Sequence, residues 1–220
     1  MDTLKFYVYL SRDKVDMLFA QLPSAVVGRI VREYSIDAKV LKATRTEEMN
    51  PNTHLVRRLQ AVVNYIVESE NVGTVDDPKR YIRGTMPMIM VPFEFDRDRW
   101  QDPDHAVVTF WGDTEQTTVL LGGSQKHLLG VIAPDRPEIG YSHILQWIIQ
   151  EKLNREDFVT KKESDYLAFI IDSRADISRL WHGPLQRFEF MAKRIASGRI
   201  ETHGGRQALL ATPLYVSLAE

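Results

Sequence analysis

Apolar side chains recur along this chain at two periods, and the period assigns each stretch. Residues 4–10 (LKFYVYL) alternate with β-branched and aromatic character, which predicts a first strand. Ser11 then stands where an N-cap belongs, with Asp13 in the first turn and Val15, Leu18, Phe19 and Leu22 on one helical face. Pro23 stops that helix, and Ser24 is placed to cap a second one carrying Val27, Ile30 and Val31 through Tyr34. Residues 36–43 read as a short strand and residues 44–52 as a polar loop. Residues 54–68 carry the clearest helical stripe of the first half, Leu55, Leu59, Val62, Val63 and Ile66, with Arg57, Arg58 and Asn64 facing away.

A turn-rich segment, 71–78, leads into residues 81–95, where Pro87 and Pro92 point to an edge strand or two short strands, because proline cannot donate to a ladder. After a charged loop at 96–105, residues 107–111 and 117–121 read as antiparallel partners joined through Gly112-Asp113. Gly122-Gly123-Ser124 reads as a break after the second of these strands, followed by a short helix or loop up to Gly130. Farther on, another loop is expected at 134–137 and a helix over 142–153. Residues 164–181 are expected to be helical, with Phe169-Ile170-Ile171 open to a strand reading. Leu185, Phe188, Met191, Ala192 and Ile195 predict an amphipathic helix over 185–196. Residues 208–218 end in LYVSLA, a pattern like that of the opening strand, and the two terminal strands are expected to share a sheet.

Strands and helices that neither alternate strictly nor segregate predict an α+β fold: a mixed or antiparallel sheet with helices packed against it, as one domain over residues 1–220. A doubly wound α/β fold is the weaker alternative, because residues 81–121 read as consecutive strands. Composition changes this picture only by exclusion. The chain has no cysteine, which removes disulfides, thiolate metal sites and cysteine nucleophiles. The formal net charge is −2, and residues 1–110 hold 15 of the 28 basic and 16 of the 30 acidic side chains, so neither half is basic and nucleic acid is not an expected partner. No run is long and apolar enough for a spanning helix and no leader pattern opens the chain, so a cytoplasmic protein without a membrane partner is expected.

For chemistry, the Gly-Gly-Ser-x-Lys-His loop stands out. A glycine bend that reached solvent would leave backbone N–H groups able to meet a small anionic ligand, with Gly122, Gly123, Ser124, Lys126 and His127 as its binding residues. Neither G-x-x-x-x-G-K-[ST] nor G-x-G-x-x-G occurs, and the nucleophile-elbow pattern G-x-S-x-G is lost at Lys126. The simplest alternative is a tight turn that only glycine fits. No His pair has zinc spacing, and the aspartates between residues 96 and 104 miss calcium-loop spacing and are interleaved with Arg97 and Arg99, so no metal or cofactor is expected. Trp100, alone among the four tryptophans in a charged loop, is a candidate anchor for a protein partner.

The strings FYVYLSRDKVDMLFAQLP, NVGTVDDPKRYIRGTMPM, FWGDTEQTTVLLGGSQKHLLG and QRFEFMAKRI…LLATPLYVSLA together resemble an uncharacterised actinobacterial, streptomycete-type family of unknown function, over nearly the whole chain. The resemblance implies no activity, cofactor or site residue; similarity to components of regulatory or defence gene neighbourhoods implies a setting in bacterial signalling or defence. Three functional readings follow. The first is a non-enzymatic module that binds a small ligand or a protein partner. The second is a hydrolase or nucleotide-processing enzyme using Ser124, Lys126 and His127. The third is a structural or assembly protein that pairs through a sheet edge or an apolar helix face, with a homodimer as its expected form.

Overall fold

The computed structural model describes residues 4–28, 51–93, 107–130, 167–168, 170–172, 174 and 184–219. The strand expected at 36–43, the helix at 142–153, the loops around 96–105 and 134–137, and Trp100 with its anchoring role lie outside them. The chain divides into two compact units, residues 12–70 and residues 1–11 with 71–220.

The larger unit is built on six strands: β1 (Phe6–Leu10), β2 (Tyr81–Phe93), β3 (Val107–Asp113), β4 (Thr117–Ser124), β5 (Gln186–Ile200) and β6 (Arg206–Leu218). Their order is β1-β6-β4-β3-β2-β5, and β5 also pairs with β6, which closes the sheet into a barrel. The β4–β6 pair is parallel and the other pairs are antiparallel, so the sheet is mixed. The terminal strands β1 and β6 pair from Phe6↔Leu218 to Leu10↔Tyr215, as their shared pattern predicted. The described residues are predominantly β, so the α+β expectation holds only in its coarser form of a mixed sheet accompanied by few helices.

Alternation along the strands sorts the side chains into two layers. Val108, Phe110, Val119, Leu121, Met86, Met88, Phe188, Phe190, Leu209 and Val216 fill the interior, together with Tyr9. The opposite faces of the same strands carry Ile89, Val91, Trp111, Leu120, Ala208 and Leu210, which pack with Leu167 and Ile170. Residues 167, 168, 170–172 and 174 are helical, which decides against a strand at Ile170-Ile171. On this outer layer the Trp111 indole N–H donates to Thr109 Oγ1 at 2.8 Å, so its one polar atom is satisfied without leaving the core.

Two expectations are corrected here. Residues 185–196 are not a helix but most of β5. Phe188, Phe190 and Ala192 point inward at period two, while Met191 on the outer face is also fully buried, and a register shift between Arg194 and Ala196 displaces Ile195. An apolar residue on each face beside a bulge imitates helical spacing. Residues 81–93 form one strand rather than an edge or two short pieces, yet the proline argument survives locally. β2 pairs with β5 over 81–88 and with β3 over 88–93, so among the described residues Pro87 and Pro92 each lie where the strand has a partner on one side only.

Hydroxyls and carboxylates tie the β3–β4 turn to its surroundings. Thr114 Oγ1 accepts the backbone N–H groups of Gln116 and Thr117 and donates to Asp76 Oδ1 at 2.7 Å. Thr117 Oγ1 donates to the same oxygen, also at 2.7 Å. The β5–β6 connection passes through a 3-10 turn, Glu201–His203, and then Gly204 and Gly205 at φ 66° and 74°, a conformation that side chains resist.

In the smaller unit, α1 (Arg12–Phe19) and α2 (Pro51–Ser69) are joined by an ion pair from Arg58 Nη1 to Asp16 Oδ1 at 2.6 Å, so Arg58 does not simply face away. The α2 stripe is buried at Leu55, Leu59, Val62 and Ile66, while Val63 is only half-buried. Residues 24–28 are helical, so Ser24 begins inside that helix rather than capping it. Ser11 does not cap α1 through its side chain, since its buried Oγ has no hydrogen-bond partner. No helix among the described residues is long and apolar enough to cross a membrane.

Asp76 collects two hydroxyl donors, so Asp76→Ala strands both. The variant should lose roughly 1–2 kcal/mol in urea unfolding, and adding Thr114→Ala should cost less than the sum of the two single changes.

Candidate functional site

The Gly-Gly-Ser stretch does not deliver a bend to solvent. β4 runs through it, with Gly122 paired to Thr109, Gly123 to Val108 and Ser124 to Val107, and all three residues are buried. The reason lies across the barrel. A Cβ on Gly123 would run into Tyr9 Oη and lie 2.7 Å from Tyr9 Cζ, so glycine here makes room for a tyrosine ring. Ser124 leads into a 3-10 turn, Gln125–His127, but its side chain makes no capping bond. His127 is buried with its ring edge-on to Tyr9 at 5.8 Å, and Tyr9 in turn meets Phe110 at 6.1 Å. Leu128 then bridges to Tyr9, and the Leu129 N–H donates to the Val8 carbonyl at 2.9 Å.

The five predicted ligand residues are thus neighbours in the fold, with Gly123 and His127 brought together by Tyr9, and Lys126 half-buried beside them. Gly122 and Gly123 are in ladder with β3, so the backbone there is strand and not the bend that the expected anion cradle was to use. Among the described residues Ser124 Oγ makes no hydrogen bond to a histidine or lysine, which a serine nucleophile requires. Nor do the described residues contain a group of three His, Asp or Glu side chains that could hold a metal ion.

A more organised polar centre sits on the barrel exterior, where sequence reading placed nothing. Cross-strand pairing lines up Thr85, Glu189, Ser217 and Tyr7 in one row and Arg83, Met191, Tyr215 and Leu10 in the next. Glu189 Oε1 accepts three hydrogen bonds: from Lys5 Nζ at 2.7 Å, Arg83 Nη2 at 2.8 Å and Tyr215 Oη at 2.9 Å. Burial works to raise the Glu189 pKa, but those three donors and the Lys5 charge outweigh it and hold the carboxyl at about 2. The same carboxylate, after burial, pushes the Tyr215 and Tyr7 phenols up. Lys5 Nζ also stands 5.1 Å from the centre of the Tyr215 ring, and Tyr7 packs edge-on to that ring at 5.6 Å. The alternation Arg187-Phe188-Glu189-Phe190 was the sequence signal for this face, and the helical reading of 185–196 hid it.

A second network joins Asp113 to both Arg206, at 3.1 Å, and Arg174, at 2.8 Å, while Arg206 Nε donates to Thr118 Oγ1. Close in sequence to these groups, His203 Nε2 lies 2.8 Å from Asp172 Oδ1, and Thr202 Oγ1 lies 3.0 Å from His203 Nδ1. Both arrangements link the β5–β6 end of the barrel to residues 172 and 174, and each carboxylate already has its cation or imidazole. Their plainest role is to fasten that helical segment.

A family model described as a family of unknown function, DUF7019, matches residues 5–220. No curated protein and no solved structure matches the chain.

Two outcomes are expected. Gly123→Ala should destabilise by roughly 1–3 kcal/mol through overpacking, and combination with Tyr9→Leu should be less than additive in denaturant melts, because both changes act on one contact. Glu189 remains ionised in the fold down to about pH 2, against an ordinary value of 4.5. Between those values the unfolded chain binds the additional proton, so this group's stabilisation is complete above pH 4.5 and is lost as pH falls towards 2. Because the cluster is partly exposed, the effect is on the order of 1–2 kcal/mol, and Glu189→Gln should flatten the acid limb of the stability profile by that amount.

Proposed function

We propose, from the premise that the chain belongs to the DUF7019 family of unknown function, that this protein is a non-enzymatic recognition module that binds a protein partner on the outer surface of its barrel. One observation carries the reading: the barrel is closed and its interior is occupied by packed side chains, Phe110, Phe188, Phe190, Met88 and Tyr9 among them. A small-molecule barrel usually keeps its lumen open to hold the ligand, whereas here polar and charged groups are organised on the exterior around Glu189. The burial of Ser124 and His127 weighs against the hydrolase alternative. A role in signalling or defence, in a cytoplasmic actinobacterial setting, is part of the same proposal and rests on the family resemblance.

The test is residue-resolved cross-linking of the purified protein returned to an extract of the cells that make it, with unlabelled protein as competitor. Competable cross-links from exterior lysines such as Lys5 and Lys193 to one or a few partners are expected. Failure to find any competable partner, or turnover of an ester or nucleotide that Ser124→Ala abolishes, would overturn the reading.

A further inference from the structure

The barrel exterior holds a concentration of positive charge that the chain's composition conceals. On the outer face of β5 the residues Arg187, Glu189, Met191 and Lys193 follow one another at period two. The facing row of β2 is Tyr81, Arg83, Thr85 and Pro87, paired with Lys193, Met191, Glu189 and Arg187 respectively. Lys5 reaches the same face through its bond to Glu189. Two cations, Lys5 and Arg83, thus hold Glu189, and two more, Arg187 and Lys193, stand two and four residues from it along the same face of a protein whose formal charge is −2. Arg83 is 52% exposed, and Arg187 and Lys193 are exposed with no ion-pair or hydrogen-bond partner for their side chains among the described residues.

We propose that this face is the docking site for an extended acidic segment of a protein partner, whose carboxylates meet Arg83, Arg187 and Lys193. The inference rests on the exterior-recognition reading above and adds the chemistry of the partner. Its first support is charge complementarity: three cations have spare donors, and arginine presents a planar fork that carboxylates match. The second is spacing. Residues two apart on a strand lie about 6.8 Å apart, and Arg187, Arg83 (level with Met191) and Lys193 occupy the first, third and fourth of four such levels, an interval that alternate side chains of an extended peptide match. Two features favour carboxylates on a peptide over the phosphates of a nucleic acid. Tyr81, the aromatic residue of the β2 row, is only 3% exposed, so that row offers bases no ring to stack on. Glu189 also interrupts the cations, where a phosphate backbone calls for an unbroken positive track.

The full-length protein can be titrated by fluorescence anisotropy with a labelled peptide of about a dozen alternating Glu and Ser residues. A peptide of equal composition with its glutamates in one block, and a single-stranded oligonucleotide of equal charge, provide the comparison. The alternating peptide should bind best, should weaken as salt rises, and should lose roughly five- to tenfold in affinity on Arg187→Glu with Lys193→Glu. Both side chains are exposed and have no partner among the described residues, so these changes should leave the thermal melt unmoved. Arg83→Gln, which keeps a donor towards Glu189, should give a smaller loss. Absence of peptide binding, binding unaffected by the charge reversals, equal binding of the blocked peptide, or tighter binding of the oligonucleotide would each overturn the proposal. Any of these results would leave competable cross-links elsewhere on the barrel standing, so the two readings fail separately.

Discussion

Strand β6 hydrogen-bonds to β5 along one side, while its other side is shared in succession by β4, over Gln207–Ala211, and β1, over Tyr215–Leu218. That shared pairing makes the barrel. A sheet closes only if its last strand finds its first without leaving an unpaired edge, and β6 manages this by bulging against β5 and by accepting two partners end to end. Tyr9 then becomes the hinge of the packing. It enters from β1 into the interior, covers Gly123, and meets both Phe110 and His127. The glycines of β4 and the tyrosine of β1 are parts of one fit, and neither can change without the other.

Because the interior is filled, polar groups of the barrel are consigned to its ends and outer face. At the β3–β4 end two carboxylates are held by donors on neighbouring strands and loops: Asp76 by two threonines, Asp113 by two arginines. Around Glu189 the balance differs. One carboxylate oxygen takes three donors, two of them cations, and Arg187 and Lys193 add further positive charge along the same face. A cluster that merely stabilised the fold would gain little from surplus exposed arginine and lysine, since isolated surface charges contribute little to stability. Surplus charge at a fixed spacing on a rigid sheet is better suited to recognition.

Much of the strand order was readable because half-buried strands leave a period-two trace. The β3–β4 hairpin, the pairing of the terminal strands and the helix around residues 54–68 all follow from local pattern. Reading failed where tertiary packing erased the period. Met191 is apolar and fully buried on the outer face, and Ile195 is displaced by a bulge, so β5 looked helical. The Gly-Gly-Ser stretch misled for a related reason: glycine signals equally a turn and a close approach, and only the position of Tyr9 distinguishes them.

By itself the chain determined its chemistry of exclusion, with no thiol, no metal-ligand spacing and no phosphate-loop motif, and it determined which segments alternate. The tertiary structure alone decided that the sheet closes, that the glycine stretch is interior, and that Lys5, Arg83, Arg187 and Lys193 share one face. Charge counts along a sequence average over segments, whereas strand register brings residues more than a hundred positions apart to within a hydrogen bond, as Arg83 and Glu189 are. That juxtaposition depends on pairing partners, which no local pattern encodes.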